Sequence, residues 1–388
     1  MNANHHHHRA DLVRLATSAM SERGLQPEFS AGVEVQMASI AGPASETGPA
    51  IQDLTGLLWC SIDNDDSLDL DQLTVCEPLL QGAIRLWVAI ADVDALVKKG
   101  TAIDDHARAN TTSVYTSARI FPMLPERLST DLTSLNFDQE RMALVTEMVF
   151  NADASLAGST VYRARVRNKA KLAYDAVSAW IDGEGALPVE AAAVPGMEAQ
   201  LRTQDAVAQQ LRARRHAEGS LELETFQPRA VFEGEQVVDI RDQVHNRARQ
   251  LIEEVMIATN GCTARYLAST GGASLRRVVR SPERWLRIVA VAQEYGETLP
   301  AEPDSKALEA FLAKRHRADP LRFPDLSLVI VRLMGSGEYV VETPGGLSVG
   351  HFGLAVRDYT HSTAPNRRFP DLITSRLLKA ALSDKQQP

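Results

Sequence analysis

The sequence predicts an α+β fold built round one continuous core. Two observations carry that expectation. From residue 51 to about residue 165 the texture is that of strands, in "GLLWCSID", "LDLDQLTV", "IRLWVAIADV", "MALVTEMVF" and "STVYRARVR". Beyond that point helical patterns dominate, and no internal repeat breaks the order. With 388 residues, 44% hydrophobic and 23% charged, the chain has a globular composition and ample length to bury a core.

Taken in order, residues 9–23 place Leu12, Leu15, Ala16 and Met20 at helical spacing, a short N-terminal amphipathic element. Residues 40–50, "IAGPASETGPA", form a small-residue linker rich in Pro and Gly. The strands follow. Residues 174–181 and 189–219 then read as helices, the second interrupted by Pro195 and Gly196. Residues 247–270 form a strong helix with Leu251, Val255, Ala258 and Cys262 on one face, and residues 370–382 close the chain with another. The expected division is a tail, helix and linker over 1–50 and one catalytic-type domain over 51–388.

The net charge of −9 speaks against a protein that coats nucleic acid by bulk charge, but not against a local basic channel. Basic residues are sparse before residue 100 and dense later, in "RVVRSPERWLR" (277–287), "KRHR" (314–317) and "NRRF" (366–369). Cys60, Cys76 and Cys262 show no CxxC spacing, so neither a zinc ribbon nor a disulfide framework is expected. No apolar run reaches membrane-spanning length and no signal-peptide pattern opens the chain, which makes the cytoplasm the expected compartment and a membrane partner unexpected. The "HHHH" at 5–8 reads as a tag remnant or a tail and takes no part in the chemistry.

Residues 61–73, "SIDNDDSLDLDQL", crowd Asp63, Asp65, Asp66, Asp69 and Asp71 together without a lysine or arginine. Such carboxylates repel, so the stretch is either a solvated acidic loop or a cup for a divalent cation. Read as a strand, "LDLDQLTV" would put Asp69 and Asp71 on one face and Leu68 and Leu70 on the other, with Asp63 and Asp66 facing the same space. All-oxygen donors suit Mg²⁺ or Mn²⁺ rather than zinc. An EF-hand is excluded, because Leu68 and Thr74 stand where its loop needs glycine and glutamate.

Five segments in order resemble the RNB catalytic domain of the ribonuclease II family of 3′-to-5′ exoribonucleases. They are "SIDNDDSLDLDQL", "AIADVDALVKKGTAID", "TSVYTSARIFPMLPERLSTDLTSLN", "LIEEVMIATN" and "HFGLAVRDYTHSTAPNRRFPDL", spread over about residues 51–382. The resemblance implies a mixed β-sheet core covered by helices, which threads single-stranded RNA into a buried channel and removes nucleoside 5′-monophosphates with Mg²⁺, or with Mn²⁺ in its place. Asp63, Asp69 and Asp71 fall on the first three aspartates of a four-carboxylate metal motif, and Gln72 stands at the fourth. Asp65 or Asp66 is then the candidate for the missing charge. The resemblance makes Asp71 and Arg367 catalytic, gives Arg367 and Arg368 phosphates to hold, and lays Tyr115 against the 3′-terminal base. His351 and His361 are expected in hydrogen-bonded structural roles, and Glu253 and Glu254 in structural roles or against an RNA sugar.

Two departures bear on function. Cold-shock-type and S1 barrels, which flank this domain in long relatives, are not expected around it here. "HSTAPN" also differs from the usual "HFTSPI", with Ser362, Ala364 and Asn366 in place of phenylalanine, serine and isoleucine. A metal-dependent exoribonuclease is therefore the leading expectation. A catalytically weak or inactive RNA-binding protein on the same fold is its rival, motivated by Gln72 and the altered loop. A metal phosphodiesterase acting on DNA or a small nucleotide is a third.

Overall fold

Seven of the strand-like segments pair into one mixed sheet. In chain order β1 (Ile51–Asp53), β2 (Cys60–Asp63), β3 (Gln72–Pro78) and β4 (Ile84–Ala91) are followed by a small separate hairpin, β5 (Val114–Tyr115) and β6 (Ile120–Phe121). The long strands β7 (Glu140–Phe150) and β8 (Leu156–Arg167), then β9 (Ala170–Ala173), complete the sheet in the order β1-β8-β7-β4-β3-β2-β9. The outer pairs β1–β8 and β2–β9 are parallel and the rest antiparallel. This is a computed structural model, describing residues 9–224, 228–234, 236–242, 245–346 and 349–383. The histidine run at 5–8 lies outside the described residues.

Period-2 side-chain alternation divides the core into two layers. Trp87, Ala89 and Ala91 of β4 face one layer with Leu73 and Val75 of β3, while Leu86, Val88 and Ile90 face the other with Cys76. The first layer is closed by α2 (Ala31–Ser39), following α1 (Arg9–Glu22), and by α3 (Ala102–Asn110). Over the second lie α4 (Tyr174–Ile181), α5 (Val189–Ala192), α6 (Met197–Glu218) and, after the hairpin β10 (Pro228–Glu233) and β11 (Gln236–Asp242), the long α7 (Arg247–Ser269). The strand β12 (Ser274–Val278) leads into α8 (Trp285–Glu294), α9 (Ser305–Ala318) and α10 (Phe323–Met334), and β13 (Glu338–Glu342) returns to pair with it. These three helices hold a cluster of their own around Ile288, Leu308, Phe311, Phe323 and Ile330. The last helix, α11 (Phe369–Leu382), packs Phe369 and Leu372 back into the first layer.

Sequence signals explain most boundaries. Asn246 caps α7 by accepting the Arg249 N–H, and Ser30 caps α2 through Val33. The interruption expected at Pro195–Gly196 separates α5 from α6, where Gly196 has φ +87° and an added Cβ would lie 3.1 Å from Leu58. Two expectations fail. Leu15 of α1 is 57% exposed, the buried side being centred on Met20. Residues 68–71 are not strand: β3 begins only at Gln72, Leu68 is exposed and Leu70 buried. The reason is local. Leu70 exchanges its backbone groups with residues 134–135, donating to Ser134 Oγ (2.9 Å) and accepting from the Leu135 N–H (3.0 Å), instead of joining a ladder.

Candidate active site

The acidic loop hangs between the end of β2 and the start of β3, toward the β9 edge of the sheet. Asp63 ends β2 and accepts from the Asn64 N–H (2.7 Å) and the Ser67 hydroxyl (2.8 Å), a closure that turns the chain back. Asn64 accepts in turn from Arg249 (2.6 Å), whose guanidinium lies over the Tyr174 ring. Asp69 is partly buried; burial, reinforced by the negative Asp63, holds its carboxyl above the usual range. Asp71 is 2% exposed, and burial pushes its carboxyl up to about 7 against the downward pull of Arg367 and the Asn366 N–H. It accepts from that N–H at 3.0 Å, and Arg367 Nε lies 3.4 Å from its other oxygen.

Arg367 arrives from the turn before α11, which Asp371 organises. Asp371 is fully buried and accepts from the Ala364 N–H (2.9 Å) and from Arg368 (2.7 Å). Partial dehydration works against the Arg367 charge, yet Asp71, Tyr115, Asp371 and Asp69 together keep its pKa above the ordinary value. The Arg367 carbonyl accepts from the Ser113 N–H (2.9 Å) and the Thr112 hydroxyl (2.9 Å), fastening the turn to the segment that carries Tyr115. Tyr115 is 53% exposed and donates its hydroxyl to Asp69 at 3.4 Å. Burial of the hydroxyl, followed by the Asp69 charge, raises its pKa.

Asp63, Asp69, Asp71, Arg367 and Tyr115 thus meet electrostatically, as expected. Asp66 does not. It is exposed, and the charges that reach Asp69 and Asp71 come from Asp63, Arg367 and Asp371. Asp65 lines a separate cavity of about 270 Å³ with Lys171 and Glu190. Neither stands in for the carboxylate that Gln72, 9% exposed at the start of β3, lacks. Arg368 donates from one guanidinium nitrogen to Asp371 at 2.7 Å and is partly exposed.

The histidines are structural, as read from the sequence. Burial, then Arg368 and Arg277, hold His361 down to about 2, and its Nδ1 pairs with the Tyr339 hydroxyl at 2.7 Å. Burial and Arg277 hold His351 near 4, where its ring accepts from the Leu354 N–H. Glu253 is exposed, whereas both oxygens of the buried Glu254 are taken by Arg215.

Sequence reasoning missed Asp371, Tyr339 and Arg249. Asp371 alone carried a signal, an acid beside Pro370 in the first turn of a helix.

The donor set fits a hard divalent cation: oxygen only, with Asp69 and Asp71 held above their usual pKa by burial and mutual repulsion and one guanidinium to offset them. The three carboxylates do not close on their own. Among the described residues, the one His/Cys/Asp/Glu trio whose ligand atoms fall within 4.8 Å of one another is His216, Glu222 and Glu309, where His216 pairs with Glu309 between α6 and α9.

Comparison with known proteins bears on the family and the fold. The RNB domain family profile matches residues 51–384. Ribonuclease R of Vibrio cholerae is 33% identical over 369 residues, covering 92% of this chain and 43% of its own length. Exoribonuclease 2 of Salmonella heidelberg is 31% identical over 387 residues, covering 96% and 58%. The chain therefore spans about half the length of the curated relatives it matches. Mycoplasma genitalium RNase R, solved in complex with ribose-methylated single-stranded RNA, superposes with a TM-score of 0.84 at 26% identity over 95% of this chain and 57% of its own. Yeast Ssd1, described as a pseudonuclease, shares the fold with a TM-score of 0.70 at 17% identity, over 89% of this chain and 42% of that one. On the match to its family profile and the identity to its relatives, this chain belongs to the RNB domain family.

Proposed function

We propose that the chain is a metal-dependent 3′-to-5′ exoribonuclease that hydrolyses single-stranded RNA to nucleoside 5′-monophosphates. The observation that carries this reading is the buried Asp71 carboxylate, which feels the Asp69 charge and lies 3.4 Å from the Arg367 guanidinium, with the Tyr115 hydroxyl on Asp69. Asp63, Asp69 and Asp71 would hold Mg²⁺ or Mn²⁺, which when bound activates water and offsets charge on the leaving oxygen. Arg367 offers a planar donor fork to the phosphate, whose charge rises as the reaction proceeds. Its contact with Asp71, a single long approach, leaves donors free to engage that phosphate. Tyr115 presents its exposed ring to the terminal base, a contact that tolerates any sequence, and its hydroxyl ties the ring to Asp69 so that base and phosphate stay in register.

Asp71→Asn tests the reading. It removes a carboxylate charge while keeping the shape and the Asn366 contact. In a time course on 5′-labelled single-stranded RNA with and without Mg²⁺, turnover should fall by ~10²-fold or more while RNA affinity stays within about twofold. Unchanged turnover overturns the assignment.

A second reading, an RNA-binding protein with weak or no catalysis, has one observation in its favour: neither Asp65 nor Asp66 replaces the charge missing at Gln72. Salt-dependent RNA binding without mononucleotide release, in Mg²⁺ or Mn²⁺, would select it.

A further inference from the structure

The turn that delivers Arg367 is anchored by a residue outside any metal or phosphate role. Asn366 is 1% exposed; its backbone N–H donates to Asp71, and its side-chain amide meets Thr133, which follows the π-helical turn Arg127–Leu132. Thr133 Oγ1 lies 2.5 Å from the amide oxygen of Asn366 and 2.8 Å from the Leu128 carbonyl. A hydroxyl has one proton, and a carbonyl oxygen can only accept. The Leu128 carbonyl already accepts the Thr133 N–H at 3.0 Å, so the hydroxyl proton is available to the Asn366 amide oxygen, and the 2.5 Å contact is a donated bond.

The neighbouring residue completes a clamp. Ser134, fully buried, accepts from the Leu70 N–H (2.9 Å) and lies 2.7 Å from the Leu68 carbonyl, gripping the backbone on either side of Asp69. Thr133 therefore grips the arginine turn and Ser134 the acidic loop, from adjacent positions on one segment. Their spacing sets how far the guanidinium stands from the carboxylates.

We infer that Asn366 and Thr133 are positioning residues: the bond from the Thr133 hydroxyl to the Asn366 amide oxygen, together with the Ser134 grip, fixes Arg367 relative to Asp69 and Asp71. This deepens the exoribonuclease reading and rests on it for its kinetic arm. An isoleucine at 366 would remove the contact to Thr133 and leave the turn to the Asp371, Thr112 and Asp71 contacts.

The test is a double-mutant cycle of Thr133→Val and Asn366→Ile, read in kcat and KM on single-stranded RNA for variants that melt cooperatively. Each single change strands one polar partner and lets the turn shift, so kcat should fall by ~10-fold or more with KM within about twofold. The double variant lacks the same single contact, so its kcat should match the worse single to within about threefold. An unchanged kcat in Thr133→Val, or losses that simply add in the double variant, overturns the inference. A second readout does not need catalysis. In protein labelled with ¹⁵N-asparagine, Thr133→Val should shift the Asn366 side-chain amide signals; an unmoved pair overturns the inference. A parent that hydrolyses no RNA overturns the exoribonuclease reading instead, and the amide signals still decide the anchor.

Discussion

Tyr115 shows how an exposed aromatic becomes a tool. Its ring is open to solvent while its hydroxyl is drawn to Asp69, so the ring's plane is set before any base arrives. Stacking on an aromatic side chain contributes ~1–3 kcal/mol per base. Tyr115→Ala should therefore raise KM for RNA by ~5- to 150-fold with a smaller change in kcat, measured by steady-state mononucleotide release. Tyr115→Phe keeps the ring and should restore most of the affinity, which separates stacking from the hydroxyl contact. At this scale the sequence was most legible where a charge had to sit in one place. Asp63, Asp69, Asp71 and Arg367 come within electrostatic reach of one another, though the three carboxylates do not close on a common point. Asp66 did not follow, since nothing in a run of like residues says which will turn inward.

Among the elements, the hairpin of β12 and β13 and the loop after it surround a pair of neutral histidines. Both His351, near 4, and His361, near 2, lie below the ordinary histidine value of about 6.5. Below pH ~6.5 the unfolded chain binds protons at these positions that the folded chain does not. Stability from this source is thus complete above pH ~6.5, declines as pH falls through 4 for His351, and keeps declining toward 2 for His361. Each costs up to ~1.4 kcal/mol per pH unit within its window. Urea midpoints measured from pH 7 to pH 4.5 should fall, and His361→Asn should flatten the slope; an equal slope in that variant would exclude His361 as a source. Strands were legible where alternation was strong, as in β4, whose two faces feed two layers. Residues 68–71 alternate just as well yet form a loop, because Ser134 takes the backbone bonds a ladder would have used. Tertiary hydrogen bonding overrode the pattern there.

The molecule as a whole carries three main apolar clusters, and the third is remote from the sheet. Helices α8, α9 and α10 bury Leu308, Phe311, Phe323 and Ile330 among themselves and hang between β12 and β13. Leu308→Ala should destabilise that unit by ~2–5 kcal/mol, raising amide exchange across α8–α10 while α7 and the sheet keep their protection. Uniform loss of protection would mean the clusters unfold together. This unit was not legible in advance: its apolar residues satisfy one another, so neither strand order nor the acidic motif points to it. The gross division into a strand-rich first part and a helical remainder was legible, because each element's period is written in its own residues.

The bond between the Asn366 N–H and Asp71 spans 295 positions of the chain. During synthesis at ~5–20 residues per second, Asp71 leaves the ribosome ~15–60 s before its partner. Throughout that interval the acids stand without their guanidinium, so the two halves of the site join only when the last tenth of the chain has been made.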